Sequence, residues 1–274
     1  MPLLDGPRIR LLDRPSERVG GKAANLARLQ QHFRVPSFRV LVPEDGAVAA
    51  PMAPDEVAGA ADALRAEAPG GYLAVRSSAD VEDGSKSSYA GLFETRLGVT
   101  AIGLPEAVEQ VVASAGATRV KEYQSARGLP EQPVRIAVIV QAMVNAERSG
   151  VCFTAWRGDR REAIVEAVLG LGEVLVQGEA EPDRFVVTAP DGPVAVARLG
   201  YQHVALLLTP AGLARRPVAP LDRHSPKLLI HEALEVARVS LEIEARLAFA
   251  GTDVEWAYDS SGLYVLQARP ITAV

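Results

Sequence analysis

Near the end of the chain, polar side chains recur at alternate positions: Asp253 and Glu255, then Gln267 and Arg269. In extended backbone, residues two apart project from the same face. Residues 253–258 and 263–268 are joined by Asp-Ser-Ser-Gly, which reads as a hairpin turn. Antiparallel pairing then sets carboxylates, an amide oxygen and a guanidinium side by side. Such oxygen donors suit Mg2+, and arginine suits the phosphates that Mg2+ bridges. The competing reading is a surface hairpin laced with salt bridges. It is weakened because Trp256, Tyr264, Val265 and Leu266 bury this hairpin, and buried charges need partners.

A second group lies in the first third of the chain. Gly20-Gly21-Lys22 is not a P-loop: no Gly stands four residues earlier, and Ala23 follows the lysine. A lysine in the first helical turn opposes the helix dipole and becomes favourable when an anion docks there; taken alone, Lys22 reads as an ordinary exposed residue. Arg76 ends an apolar run, so its guanidinium emerges at the lip of a sheet. Ser77, Ser78, Gly84, Ser85, Ser87, Ser88 and Gly91 follow in a small-residue stretch. Such a loop can close over phosphates with its backbone amides, or simply be solvated; both readings stand. Gly170-Leu171-Gly172 lacks the third glycine of a dinucleotide fingerprint, and Glu173 would repel a pyrophosphate, so it reads as a tight turn. His32, His203, His224 and His231 show no metal-ligand spacing; His224 and His231, seven apart, read as solvated or capping residues. Cys152, the single cysteine, lies in the apolar run Val151-Cys152-Phe153 and reads as a buried structural thiol.

The elements that must position these residues follow from hydrophobic period. A short strand is expected over 8–12, and a helix from Gly20 with Leu26, Leu29 and Phe33 at helical spacing. An extended segment covers 35–42, a loop 43–54, and a helix 55–68 with Ala58, Ala61 and Leu64 on one face. A buried strand over 72–75 runs into the Arg76 loop, and another strand covers 95–99. One long helix is expected from Pro105 to about Ala126. Strands follow over 134–144, 150–154, 163–168, 184–189 and 194–200. Ser225-Pro226 reads as a helix start, with apolar positions 230, 234, 237, 241 and 247 on one stripe. The pattern is α+β in two lobes divided near Gln141: 1–141, with the loops that are candidates for phosphate binding, and 142–274, with the terminal hairpin.

At 274 residues the chain can bury a sizeable core. Its 48% apolar and 23% charged residues are the balance of a soluble globular protein. With a net charge of −5 and no basic block, nucleic acid and anionic membranes are not expected partners. Only four of the 29 basic residues are lysines (22, 86, 121 and 227), which makes each lysine easier to single out. One cysteine allows no intrachain disulfide, the N-terminal residues lack the apolar stretch of a signal peptide, and no apolar run is long enough to span a bilayer; a cytoplasmic protein is expected.

Taken in order, the segments GGKAANL (20–26), VRSSADVED (75–83), SYAGLFET (88–95), VQAMV (140–144), SGVCFT (149–154), VEAVLGLGE (165–173), PDRFVV (182–187), DVEWA (253–257) and LQARPIT (266–272) resemble the N-terminal ATP-grasp domain of the phosphoenolpyruvate-utilising enzymes. Within that group the wording of 76–79 and 90–95 is most similar to phosphoenolpyruvate synthase and rifampin phosphotransferase, rather than pyruvate phosphate dikinase. The resemblance implies an ATP-grasp fold with mainly antiparallel sheets, flanking helices and ATP in the cleft between the lobes. It implies that Lys22 and Arg76 contact the ATP phosphates, that Gly91 and Thr95 belong to the phosphate-covering loop, and that Gln141 lies near the adenine. Glu255 and Gln267 would hold Mg2+, and Arg269 would steady the transferring group, with Arg76 and Arg269 as the catalytic pair.

Three departures from the family bear on function. Leu92-Phe93 replace the two Gln that usually follow Ala-Gly in the phosphate loop, the stretch between Val42 and Tyr72 is shortened, and the sequence ends just after Ile271-Thr272. None of the four histidines lies in the Ser-His-Ala setting of the family's phosphohistidine domain. The expected activity is therefore that of an ATP-dependent phosphotransferase component, passing a phosphoryl group to a histidine on a separate domain or protein and then to an unidentified acceptor. Direct kinase or ligase chemistry on a small molecule, and a non-catalytic nucleotide-binding regulatory subunit, are the alternatives.

Overall fold

The computed structural model describes residues 19–42, 54–65, 67–79, 83–84, 87–88, 93–126, 134, 136–157, 160–188 and 192–271. The expected strand over 8–12, Lys86 and Gly91 lie outside the described residues. The chain divides into two compact units: Met1–Ala27 with Pro36–Met143, and Arg28–Val35 with Val144–Val274. A single boundary near Gln141 does not contain the exchange of 28–35 into the second unit.

The first unit contains α1 (Gly20–Leu29, whose last two residues count with the second unit), β1 (Phe38–Leu41), α2 (Pro54–Arg65), β2 (Leu73–Ala79), the two-residue strands β3 (Asp83–Gly84) and β4 (Ser87–Ser88), β5 (Thr95–Val99), α3 (Leu104–Ala113), α4 (Thr118–Ala126) and β6 (Ile136–Ala142). Its main sheet runs β1-β6-β2-β5, with every neighbour antiparallel. β6 reads Ile-Ala-Val-Ile-Val-Gln-Ala and is buried along its whole length, as a continuous apolar run in a central strand requires. One sheet face, with Leu73, Val75, Ala79, Ile136, Val138 and Val140, joins a core with Val57, Ala60, Ala61 and Leu64 of α2 and Leu104, Val108 and Val111 of α3. Ala58, expected on the buried face of α2, is exposed.

The single helix expected from Pro105 to about Ala126 is instead two. Ser114–Gly116 forms a 3-10 turn, and Ala117 is extended at φ −63°, ψ 146°. Ser114 Oγ donates to the Val111 carbonyl at 2.6 Å, the local side-chain bond by which serine competes with a continuing helix, and Gly116 adds little to hold one.

The second unit contains β7 (Arg148–Arg157), β8 (Arg160–Leu169), α5 (Glu173–Val176), β9 (Asp183–Thr188), β10 (Val194–Arg198), β11 (Val204–Thr209), β12 (Gly212–Pro217), α6 (Ile230–Leu247), β13 (Thr252–Asp259) and β14 (Gly262–Pro270). Six strands form an antiparallel sheet in the order β10-β9-β8-β7-β13-β14, and β11-β12 is a separate ribbon. Sequence reading missed that ribbon. Gly170 turns at φ 77°, where a Cβ would lie 2.4 Å from the Leu206 carbonyl oxygen, so the Gly170-Leu171-Gly172 stretch is a turn packed on β11.

Helix α6 starts later than Ser225-Pro226 suggests, because the segment before it is committed elsewhere. The Lys227 amide donates to Asp183 Oδ2 at 2.7 Å, and its ammonium reaches Asp183 Oδ1 (3.1 Å) and the carbonyls of Gly200 and Arg223. This ion pair is fully buried with every partner supplied, the condition under which buried charge is tolerated. The α6 stripe is also displaced from the one expected. Ala233, Val236, Ala237, Ile243 and Leu247 are buried, whereas Ile230 is half exposed and Leu234 and Leu241 lie at the margin. Two glutamates share the buried face because arginines from the sheet meet them: Arg148 with Glu232 at 2.8 Å and Arg161 with Glu244 at 2.7 Å.

Candidate functional site

In the first unit three of the predicted residues, Arg76, Thr95 and Gln141, lie on the sheet face opposite the α2–α3 core. Register places Val40, Ile139, Arg76 and Thr95 in one cross-strand row, and Phe38, Gln141 and Ala74 in the next. Arg76, Thr95 and Gln141 therefore share a face. Thr95 is exposed, whereas Gln141 is buried, its amide nitrogen 3.5 Å from the Pro36 carbonyl oxygen.

Ser78, two residues beyond Arg76 on this face, receives the start of α1. Its hydroxyl accepts from the Ala23 amide at 3.0 Å and donates to the Val19 carbonyl at 2.5 Å, so it satisfies one of the amides a helix leaves unpaired at its N-terminus. Gly20 sits there at φ 68°, and a Cβ on it would come within 2.6 Å of the Ser78 backbone. The helix thus begins directly against β2, with Lys22 in its first turn. Lys22 is buried, not the exposed lysine that residue-by-residue reading suggests. The positive end of a helix is a place where a docked anion is stabilised.

In the second unit, one face of the six-stranded sheet meets α6 through Cys152, Val165, Phe185, Val254 and Trp256. Burial pushes the Cys152 thiol up to about 12, so it is the inert structural residue expected. The other face carries the hairpin residues. Asp253 pairs with Arg269 and Glu255 with Gln267 across β13–β14. The register then slips to Trp256↔Val265, leaving Leu266 as an extra residue in a β-bulge. That bulge lets Val265 join the α6-facing core while Gln267, two residues on, points to the opposite face.

Hydrogen bonding leaves this cluster short of donors. Arg269 spends Nε (2.8 Å) and Nη2 (2.7 Å) on one oxygen, Asp253 Oδ2. Asp253 Oδ1 is buried and accepts nothing. Gln267 Nε2 donates to Glu255 Oε1 at 3.3 Å, and Gln267 Oε1 is likewise buried without a partner. Burial raises the Asp253 carboxyl above its ordinary range; Arg269 opposes the shift and Glu255 adds to it. Buried, unsatisfied acceptor oxygens from a carboxylate and an amide fit a hard divalent cation. Among the described residues no three His, Cys, Asp or Glu side chains gather as a metal cluster, so an ion here would draw on the Gln267 amide and on oxygens from outside the protein.

Asp253 was visible in the sequence by its alternation with Glu255, but its role as the residue that orients Arg269 was not. Further along the same face, Glu166 and Arg184 form an ion pair (Nε to Oε1, 3.0 Å) in the cross-strand row of Glu255 and Val151. Only strand register reveals that relation. Of the histidines, His224 packs its ring 4.9 Å from that of Tyr201, and His231 is exposed. No described helix is long and apolar enough to cross a membrane.

Comparison with known proteins bears on family and fold. Rifampicin phosphotransferase from a Streptomyces species is 36% identical over 234 residues, covering 83% of this chain and 26% of that protein. A probable phosphoenolpyruvate synthase of Archaeoglobus fulgidus is 35% identical over 207 residues (74% and 27%), and the phosphoenolpyruvate synthase of Pyrococcus furiosus is 33% identical over 217 (74% and 26%). The chain spans about a quarter of the length of these curated relatives. Among solved structures, the dinucleotide-forming acetyl-coenzyme A synthetase 1 of Ca. Korarchaeum cryptofilum, in complex with coenzyme A, Ca-AMPCP and HgCl+, superposes with a TM-score of 0.50 at 12% identity, covering 90% of this chain and 89% of that one. At that identity the likeness concerns fold, and the fold is ATP-grasp of the α+β class. With residues 49–274 matching the family described as "Pyruvate phosphate dikinase, AMP/ATP-binding domain", the chain belongs to that family.

Proposed function

We propose that this chain is the ATP-binding component of a phosphotransferase, which cleaves ATP and passes a phosphoryl group to a histidine on another domain or protein. The observation that carries this reading is the β13–β14 cluster, where Asp253 Oδ1 and Gln267 Oε1 are buried without donors beside Glu255 and Arg269. Buried acceptors side by side without donors are a costly arrangement that a bound cation would relieve.

Each residue has a part. Lys22 and Arg76 bind phosphate oxygens, aided by the α1 N-terminus, and Gly91 and Thr95 belong to the loop that covers them. Gln141 meets the adenine. Glu255 and Gln267 would hold Mg2+, which would supply charge neutralisation on the phosphates. Arg269, kept in orientation by Asp253, steadies the transferring group as charge shifts among its oxygens. The accepting histidine nitrogen forms the new N–P bond as a phosphoanhydride P–O bond breaks. With one water consumed, the products are phosphohistidine, AMP and phosphate, and the phosphoryl group then moves on to the final acceptor.

The test is product analysis with phosphorus-labelled ATP, Mg2+ and a supplied phosphohistidine-domain protein. AMP is expected only when that partner is present. ADP formed with a small-molecule acceptor and no partner would overturn the reading in favour of a direct kinase. Tight Mg2+-dependent ATP binding that survives Glu255→Ala, with no cleavage by the unsubstituted chain under any condition, would overturn it in favour of a regulatory nucleotide binder.

A further inference from the structure

The segment Arg28–Val35 belongs to the second unit although the chain on either side of it belongs to the first. Leu29 is buried in the second unit's core, and Phe33 and Val35 pack against that core. The Arg34 carbonyl accepts the Val265 amide at 2.9 Å, so the segment lies along the outer edge of β14, the terminal strand of the six-stranded sheet. The Arg34 side chain fastens it there. Nη1 donates to the Ser261 carbonyl (2.7 Å), and Nη2 to Ser261 Oγ (2.7 Å) and Tyr264 Oη (2.6 Å); the guanidinium carbon lies 4.0 Å from the Tyr264 ring centroid.

These contacts fall on the turn and on the strand immediately before the bulge. Val265, held by the Arg34 carbonyl, is the last residue in the hairpin's first register, Leu266 is the bulged residue, and Gln267 begins the second register. A bulge re-aims the side chain that follows it, and an edge strand held on one side only can slip out of register. A one-residue slip would turn the Gln267 amide away from Glu255.

We infer that Arg34 is a positioning residue for the metal-binding hairpin: it clasps the 28–35 strap to β14, fixes the bulge at Leu266, and so aims Gln267 at the face that holds Glu255. This rests on the proposed role of Glu255 and Gln267 as metal-holding residues. Nothing about Arg34 in the sequence hints at it, since twelve residues and a helix end separate it from Lys22 and more than two hundred from Gln267.

The experiment measures Mn2+ binding by water-proton relaxation, in the presence of the β,γ-imido analogue of ATP, together with amide exchange of Val265, Leu266 and Gln267 in the ligand-free chain. Arg34→Ala should weaken Mn2+ binding by roughly the lower end of the ~10–100-fold range seen when outer partners of metal ligands are removed. It should also speed exchange at the three amides. Arg34→Lys keeps a cation near Tyr264 but loses the forked donors, and should fall between wild type and Arg34→Ala, which keeps the test informative if the alanine variant folds poorly. Gln267→Ala is the control and should weaken Mn2+ binding directly. A lowered Tm in both Arg34 variants, with unchanged Mn2+ affinity and unchanged exchange at Leu266 and Gln267, would make Arg34 a structural residue only and overturn the inference. Unchanged Mn2+ affinity in Gln267→Ala would overturn the metal reading itself, and this inference with it.

Discussion

The two units solve a similar problem with opposite chemistry. Each builds an antiparallel sheet, packs helices on one face, and carries predicted site residues on the strands of the other: Arg76, Thr95 and Gln141 in the first, Glu255, Gln267 and Arg269 in the second. In the first unit that face offers positive charge: Arg76 on β2, and Lys22 on a helix whose N-terminus is seated against Ser78. In the second it offers oxygen, from Asp253, Glu255 and Gln267, with the Arg269 guanidinium engaged by Asp253. The first arrangement can attract a polyphosphate by itself. The second repels one until a cation intervenes. Nucleotide binding should therefore divide into a metal-independent part and a metal-dependent part, each traceable to one unit.

The most direct way to break that comparison is to mutate one residue on each side. Glu255→Ala should lower phosphoryl turnover by about 10²–10³-fold, the usual cost of losing a group that stabilises transition-state charge. ATP affinity measured without Mg2+ should stay within about twofold of wild type, because Glu255 repels phosphate rather than binding it. Arg76→Ala should do the reverse. Loss of charge-assisted hydrogen bonds worth ~1.5–3 kcal/mol weakens Mg2+-free ATP binding by roughly 10–100-fold. Isothermal titration with and without Mg2+ separates the two. If both variants lose affinity only when Mg2+ is present, the division of labour between the faces is wrong.

The second unit was also the more legible of the two. Period-two alternation placed Asp253, Glu255, Gln267 and Arg269 on a common face, and the structure pairs them as that alternation requires. What alternation cannot see is a register change. The bulge at Leu266 reconciles a core-facing Val265 with an outward Gln267, and only the paired strand reveals it. Strand extents were recovered closely for 95–99 and 184–189, where β-branched and aromatic residues stand between turn signals. The β11–β12 ribbon was missed because Leu206-Leu207-Leu208 carries no β-branched signature and its turn, Pro210-Ala211, lacks the usual hairpin pair. In α6 the displaced stripe has an equally local cause. Counting only apolar residues ignores Glu232 and Glu244, which are buried through arginines more than eighty positions away. Lys22 shows the same limit from the other direction, since burial of a first-turn lysine depends on how α1 is seated on β2 and not on its neighbours in sequence.

That seating supplies a second, smaller prediction confined to the first unit. Gly20→Ala introduces a Cβ within 2.6 Å of the Ser78 backbone at a positive φ that alanine adopts only with strain. It should destabilise the chain by about 1–3 kcal/mol and displace the α1 N-terminus from β2. Thermal unfolding gives the first effect. The comparison predicts the second: Mg2+-free ATP affinity should fall, while Mn2+ binding at the hairpin, measured with nucleotide saturating, should not change. Loss of both would mean that the two faces do not act independently.

The smallest expected effect is also the most discriminating, because its sign differs between stability and activity. Burial and Glu255 raise the Asp253 carboxyl above its unfolded value, and the Arg269 pair only partly opposes them. For a carboxyl raised in this way, the native state binds its proton more tightly than the unfolded chain does. The stabilising contribution is therefore fully present below the unfolded value of about 3.9 and is lost as pH rises through the folded value. At pH 7 the ionised carboxylate is a cost to the folded chain, and Asp253→Asn, which resembles the protonated form, should give a slightly higher Tm than wild type. That advantage should vanish below about pH 4, where the wild-type carboxyl is protonated in both states. Phosphoryl transfer should fall at the same time, since Arg269 loses the anion that holds its fork. A variant that is more stable and less active is what a site kept under electrostatic tension for a cation should give. If Asp253→Asn were instead less stable at pH 7, the Arg269 pair would outweigh burial, and the second unit's face would be better described as a satisfied ion-pair surface than as an open oxygen site.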